Sequence, residues 1–375
     1  MIGNITIDSD HYRASFRRRR SDFIWVTFGY WGQQHDYYWG QEVAEYNNYS
    51  FLGIVDKGYS WYATVSEIFP LLLPILDQYQ IRIGSGVSMG GYAAIKYSRA
   101  LRFEATLAVV PQFSINPSSV NDFRYKDWFN PALFNMDIKA EDIGGKIYTL
   151  IDPHYELDMA HYRRLTEVIV PVQIPAHYCG HFSIAAYLGR DRMGRVISAL
   201  LDGDLAALRK YAREGRKASA DRAAGIICAA WSRDRRRGRK LFKLYKEKTS
   251  SYRLQDTLAE LSREMTKLGN RDVALETMKE ALNLIPENHF INYQYSNLIH
   301  ELDPNTALAC AEKAAQSGEA RFIAWRDKLR ANHEAIASAN QTSQGATRIG
   351  DEIEAPTAEL AGQSGEEVRD KSMKC

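Results

Sequence analysis

The sequence predicts an α/β protein, with a mostly parallel sheet and flanking helices followed by an all-α domain and a disordered tail. Three observations carry this reading. Short apolar runs alternate with helical patterns over residues 1–200. No strand pattern appears after about Asp191. Beyond Asn340 the chain is rich in Gly, Ser, Ala, Thr and Glu and lacks aromatics, a composition that cannot bury a core. The boundaries drawn in this way are 1–190, 191–340 and 341–375.

The strands come in order at Phe23–Phe28, Phe51–Val55, Ile81–Ile83, Ala105–Val110, Lys146–Ile151 and Val172–His177. They are apolar throughout rather than alternating, as strands covered on both faces must be. Helical patterns fall between several of them, at about Thr64–Tyr79, Gly91–Ala100 and Met159–Val168. Pro70 and Pro74 predict a kink in the first of these.

Composition excludes several classes. The chain has 375 residues, 45% hydrophobic and 25% charged, with a formal net charge of +2, which is ordinary for a globular protein. A membrane span needs about 20 apolar residues. The longest run here, Ile68–Leu76, is short and contains two prolines. Arg17–Arg20 precedes a strand-like run rather than a signal-peptide core. Cys179, Cys228, Cys310 and Cys375 are widely separated, with no CxxC, which fits reduced thiols and a cytoplasmic setting.

The helical half contains a repeat. Leu258, Leu261, Ser262, Met265, Gly269, Ala274, Met278, Ala281 and Pro286 set small residues where two helices would cross, with Pro closing the second. Tyr295, Ser296, Ala307, Ala311 and Ala314 follow the same plan, one residue shorter in the turn. The pattern resembles the tetratricopeptide repeat, and that resemblance implies a protein partner docking on residues 250–320. A generic α-hairpin bundle is the alternative. Residues 201–250 hold 15 Lys and Arg against 6 Asp and Glu, including Arg235-Arg236-Arg237-Gly238-Arg239-Lys240. A solvated helix face or interdomain junction is the plain reading of this run, and an anionic partner, such as an acidic polysaccharide, a phosphate-bearing carrier or nucleic acid, is the alternative. No zinc-finger, homeodomain or RNP pattern points to specific nucleic-acid binding.

The chemical signal is Gly86-Val87-Ser88-Met89-Gly90, a G-x-S-x-G between the strand Ile81–Ile83 and the helix opening at Gly91. A serine on a strained strand-to-helix turn needs neighbours without side chains. The Met89 N–H, at the helix start, would then face a developing oxyanion. A G-x-G-x-x-G dinucleotide loop fits less well, because Gly84 and Gly86 are followed by Gly90 and Gly91.

With this motif, residues 1–190 resemble the α/β-hydrolase superfamily, whose order is nucleophile, acid, histidine. The resemblance implies an α/β-hydrolase-like sheet and a Ser-His-Asp triad. Ser88 would be the nucleophile and His181, in Gly180-His181-Phe182 after the last strand, the base. The acid would be Asp152, directly after the strand Lys146–Ile151. Asp158 is the alternative acid, although it also reads as an N-cap for the helix from Met159. His177 is a lesser alternative base, and His154 and His161 read as surface or rim residues. A second oxyanion donor would come from Tyr30 or Trp31, in the loop after the first core strand. The aromatics of residues 30–62 sit at the strands' carboxyl edge, so Trp61 and Tyr62, with Gln112 from the next loop, are candidates to line a substrate pocket. Residues 111–141 would form a small cap.

The implied activity is hydrolysis of a carboxylic ester or thioester, with a saccharide-linked acyl ester as a suggested substrate. An acyltransferase with the same nucleophile, or a non-catalytic hydrolase-like scaffold, would share this sequence pattern. Neither a cofactor nor a metal is implied.

Overall fold

The computed structural model describes residues 3–348, apart from 59, 123, 133–135, 249–257, 260, 264, 267–268 and 285. The expected disordered tail therefore lies outside the described residues, except that a helix, Ala320–Arg348, runs through its first eight positions. The chain divides into two compact units at Pro286/Glu287.

The first unit is built on one eight-stranded sheet. Its strands are β1 (Ile5–Asp8), β2 (Tyr12–Arg17), β3 (Phe23–Phe28), β4 (Ser50–Asp56), β5 (Ile81–Val87), β6 (Ala105–Val109), β7 (Lys146–Ile151) and β8 (Val172–Pro175). The order is β1-β2-β4-β3-β5-β6-β7-β8. β1 and β2 run antiparallel at one edge, and every pair from β4/β3 onward is parallel. This is a mostly parallel sheet, as the sequence predicts. The six apolar strands are all present, and the two edge strands are an addition. β1 alternates half-buried and exposed residues, Ile-Thr-Ile-Asp, so it lacks the continuous apolar run by which the others were recognised.

Each central strand sends alternate residues to opposite faces. Ile24, Val26 and Phe28 of β3 enter one core, with α2 (Phe69–Leu76) and α3 (Met89–Lys96). Phe23 and Trp25 enter the other, with α5 (Arg190–Leu201) and α6 (Leu205–Gly215). α1 (Gln41–Asn47) and α4 (Glu156–Val168) complete the two layers. The kink expected from the prolines appears as a 3₁₀ turn, Val65–Ile68, that leads into α2.

The break in sequence pattern near residue 190 is not a break in packing. Met193, Val196, Ile197, Leu200, Leu208 and Ala212 share a core with Tyr148, Leu150 and Ile174 of the sheet. α5 and α6 therefore pack on the sheet's second face, and the apolar stripe of a helix does not say in sequence which neighbour it will cover.

The repeat plan is visible inside each unit. In the first, Leu258, Leu261, Ser262 and Met265 are buried with Ala274, Met278 and Ala281, and Ser262 Oγ donates to the Ala274 carbonyl at 2.7 Å. In the second, the helices His289–Ile299 and Pro304–Ala315 bury Tyr295, Ser296, Ala307, Ala311 and Ala314, and Ser296 Oγ donates to the Ala307 carbonyl at 2.7 Å. In the basic run, Arg233, Arg236, Arg237 and Lys240 are exposed, as a solvated helix face requires. No helix among the described residues is long and apolar enough to cross a membrane.

If α5 belongs to the sheet's core, Ile197→Ala should destabilise the domain by about 2–5 kcal/mol in urea unfolding. A chain cut at residue 190 should not fold cooperatively. A cut chain that unfolds at the parent midpoint would restore 190 as a boundary.

Candidate active site

β5 lies in the middle of the sheet, between β3 and β6, and Ser88 follows its last residue. The turn from β5 into α3 holds Ser88 at φ 55°, ψ −115°, a region that L-residues enter only under constraint. The constraint is visible on both sides: Ser88 N donates to Val109 O at 2.9 Å, and Tyr92 N donates to Ser88 O at 3.0 Å. The flanking glycines are steric necessities. A Cβ on Gly86 would sit 2.2 Å from Gly90 O, and one on Gly90 would sit 2.2 Å from Phe28 O.

Ser88 Oγ lies 3.0 Å from His181 Nε2. His181 Nδ1 lies 2.9 Å from both carboxylate oxygens of Asp158. This pairing fixes the tautomer: Nδ1 carries the proton toward Asp158, leaving Nε2 free to accept from the serine. Asp158 is 1% exposed in its side chain and sits in the first turn of α4, which starts at Glu156. It is not the N-cap that the sequence suggested, since that position belongs to Tyr155.

Asp152, the first choice of acid, is not beside the imidazole. Its Oδ2 accepts from Gly180 N at 2.8 Å and its Oδ1 from His154 N at 3.0 Å. Both oxygens are used on backbone, and they tie the end of β7 to the loop that carries His181. The loop turns sharply there, with Tyr178 at φ 63° and Gly180 at φ 58°. His177 faces away from the serine: its Nδ1 is 3.0 Å from His154 Nε2, and burial, Arg216 and His154 hold its pKa below the usual value. His154 is exposed, as expected. His161 is not a rim residue; it is 2% exposed.

Met89 directly follows Ser88, and Tyr30 and Trp31 lie in the loop after β3. Met89 opens α3, so its N–H has no partner within the helix. Gly90 packs against the carbonyls of Phe28 and Gly29, which sets the Gly29–Tyr30 peptide beside the start of α3. Tyr62 fixes how that peptide faces, because its hydroxyl lies 3.0 Å from Gly29 O and 3.1 Å from Ile54 O. A trans peptide points its N–H opposite to its carbonyl, so Tyr62 orients the Tyr30 N–H. Trp31 is one peptide further on, in the turn closed by Gln33 N to Tyr30 O, and its ring meets Trp128 at 5.2 Å.

The pocket candidates divide. Tyr62 is fully buried, with its hydroxyl committed to backbone, and is a support rather than a lining residue. Burial drives its pKa well above the usual tyrosine value, and Asp56 adds to this. Trp61 is fully buried, with its ring 5.1 Å from Tyr125 and 6.4 Å from Trp128. Gln112 reaches Ser88 itself: its Nε2 donates to Ser88 Oγ at 2.9 Å, while its buried Oε1 has no hydrogen-bond partner.

The described residues of 111–141, referred to below as the cap, are tied to α3 by Tyr92 OH to Met136 O at 2.7 Å and by Lys96 Nζ to Asp137 O at 2.6 Å. The cap supplies three groups that sequence reasoning missed. Tyr125 OH lies 3.4 Å from His181 Nε2, and burial raises its pKa, which keeps it a neutral donor. Arg124 Nη2 lies 2.6 Å from Asp122 Oδ2 and 2.8 Å from Asp158 Oδ1. Asp122 also meets His161 Nε2 at 3.0 Å. Asp122-Phe123-Arg124-Tyr125 has no motif spacing, so nothing in the chain order marks it.

No protein-family model matches this chain, and no curated protein does. Among solved structures it is similar to the capsule O-acetyltransferase of Neisseria meningitidis serogroup A, with 14% identity over 53% of this chain and 96% of that one, at a TM-score of 0.41. It is also similar to a sugar hydrolase from Lactococcus lactis (14% identity, 55% and 100% covered, TM-score 0.39). A third similar structure is an esterase from Pyrococcus furiosus (14%, 52% and 90%, 0.37).

Because a Cβ at residue 90 would strike backbone carbonyls that cannot swing aside, Gly90→Ala should cost about 1–3 kcal/mol in thermal or urea unfolding. Gly3→Ala, where nothing lies within 4 Å, should cost far less. Equal effects would mean that the elbow is not sterically tight.

Proposed function

We propose that this protein is a serine hydrolase that cleaves a carboxylic ester or thioester through an acyl-enzyme on Ser88. The observation that carries the reading is the unbroken chain from Ser88 Oγ to His181 at 3.0 Å and on to Asp158 at 2.9 Å, with the serine on a strained turn at the carboxyl end of a central strand. Ser88 attacks the acyl carbonyl as its proton passes to His181 Nε2. Asp158 stabilises the imidazolium, which then protonates the leaving group. Water repeats the sequence on the acyl-enzyme. The oxyanion is held by the N–H groups of Met89 and Tyr30.

The aromatic run supports a saccharide-linked ester as substrate. Rings lead outward from Tyr125, beside His181, through Trp61 to Trp128 and Trp31, which are 37% and 41% exposed. Exposed indole rings stack well on sugar faces, which carry both C–H and O–H groups. The paired α-hairpins read as a tetratricopeptide-like module for a protein partner. Residues 250–320 fall in both units and include positions outside the described ones.

The first test is covalent labelling of purified protein by a fluorophosphonate, with Ser88→Ala as control. Label on the wild type alone is expected, and Ser88→Ala should cut ester turnover about 10³–10⁶-fold. A folded wild type that takes no label would leave the scaffold reading. Asp158→Asn should lose about 10⁴-fold in kcat. Asp152→Asn should lose much less, through a loosened histidine loop; the reverse order would return the acid role to Asp152. Adding an alcohol acceptor to the assay separates hydrolysis from acyl transfer by product. For a sugar ester, Trp128→Ala should raise KM with kcat little changed. For p-nitrophenyl acetate neither constant should move, and an equal rise in KM for both esters would count against the sugar.

A further inference from the structure

The acid of the triad has an arginine on its other side. Arg124 Nη2 lies 2.8 Å from Asp158 Oδ1, while Asp158 faces His181 at 2.9 Å. A guanidinium on the far side of the carboxylate opposes part of the field by which that carboxylate stabilises an imidazolium. We propose that Asp122 offsets Arg124, so that one negative charge remains for the His181 imidazolium; Asp122 and Arg124 are then positioning residues that set the strength of the catalytic base. The inference rests on the serine-hydrolase reading above.

The charges can be assigned from the contacts. Asp122 takes Arg124 Nη2 at 2.6 Å on Oδ2, and His161 Nε2 at 3.0 Å on the same oxygen. His161 Nδ1 accepts the Phe113 N–H at 3.0 Å, so its proton is on Nε2 and the ring is a neutral donor to Asp122. Burial would raise the Asp122 pKa, but the hydrogen bonds from His161 and Arg124 outweigh it and hold the carboxyl well below the usual range. Two carboxylates and one guanidinium leave the cluster at −1. When the Ser88 Oγ–H bond breaks and the proton forms Nε2–H on His181, the cluster with its imidazolium reaches zero. Without Asp122 the same step would leave the cluster with its imidazolium at +1, balanced only by the oxyanion formed on the substrate.

The other groups facing His181 do not supply the missing charge. Tyr125 OH is neutral, Tyr155 contributes a ring at 6.5 Å, and Ser88 is the reacting hydroxyl. Asp152 is bound to the backbone N–H groups of Gly180 and His154, and it lies in the field of Arg216 and His177. The network also closes on the nucleophile: Phe113, held by His161, follows Gln112, which donates to Ser88 Oγ.

The test is the second-order rate of fluorophosphonate labelling across pH. The acid limb of that rate reports the protonation of His181, and a weaker base titrates lower. Asp122→Asn removes the offset, so the limb should move down by about one pH unit and the plateau rate should fall about tenfold or more. Arg124→Gln should move the limb up. The double variant, which removes the pair as a unit and leaves Asp158 alone, should return the limb to the wild-type position. The two single variants have opposite signs, so either one that folds carries the test. If the plateau falls while the limb stays fixed, the network only braces the cap and the proposal is overturned. A double variant whose limb stays with Asp122→Asn would overturn it as well. A wild type that takes no label at any pH would instead remove the serine-hydrolase reading beneath it.

Discussion

The backbone at Ser88 holds a conformation that a free chain would leave, and two glycine contacts make it tenable. Gly86 lies under the Gly90 carbonyl and Gly90 under the carbonyls of Phe28 and Gly29. Only hydrogen fits in either gap. These contacts hold three pieces of chain together: the end of β5, the first turn of α3 and the loop after β3. The serine, the Met89 N–H and the Tyr30 peptide therefore arrive at one place by a single steric constraint. The sheet sets the distance, since β3 and β5 are paired along their whole length from Phe23↔Ile81 to Phe28↔Gly86. A site built this way holds its geometry before any substrate arrives, which is the condition under which hydrogen-bond donors stabilise a developing charge most strongly.

Much of this was legible because it is local. The apolar strands announce themselves by composition, and G-x-S-x-G describes a turn within five residues. Gly180-His181-Phe182 follows its strand directly. The acid was harder for a definite reason. Asp152 occupies the position right after β7 where chain order places a triad acid, yet its oxygens are consumed by Gly180 and His154 N–H. Asp158 lies one turn of chain later and reaches His181 because α4 begins at Glu156, three residues before the sequence pattern suggested. A helix start shifted by three residues rotates a side chain from a capping position to an inward one. Boundaries of this kind depend on tertiary contacts and are the least readable feature of a sequence.

The cap groups were illegible for another reason. Asp122, Arg124 and Tyr125 are adjacent in sequence and sit in a segment with little regular structure, marked only by a 3₁₀ turn, Lys126–Trp128, at its end. Their partners, Asp158, His161 and His181, are 34 to 56 residues away. Nothing about an Asp-x-Arg-Tyr tetrapeptide says that it will be lowered onto a histidine. The packing of α5 and α6 is illegible in the same way, because nothing in an all-helical stretch says that its apolar face will be spent on the sheet.

The cap joins these threads, because it is held by the same helix that the nucleophile opens. Tyr92 and Lys96, one and two turns beyond Ser88 on α3, bind the cap's return at Met136 and Asp142. The cap in turn sets Arg124 against Asp158 and Asp122 against His161, and its Phe113 N–H is received by His161 of α4. Asp158 and the buried His161 both ride on α4, three residues apart and so on one face of the helix. A shift of α4 along its axis would therefore move Asp158 relative to His181 and His161 relative to Asp122 together. Burial forbids leaving any one of these charges unpaired, since a buried charge without its partner costs about 3–5 kcal/mol. These pairings give a short irregular segment a defined position against α4, because moving either side would leave a buried charge unmet.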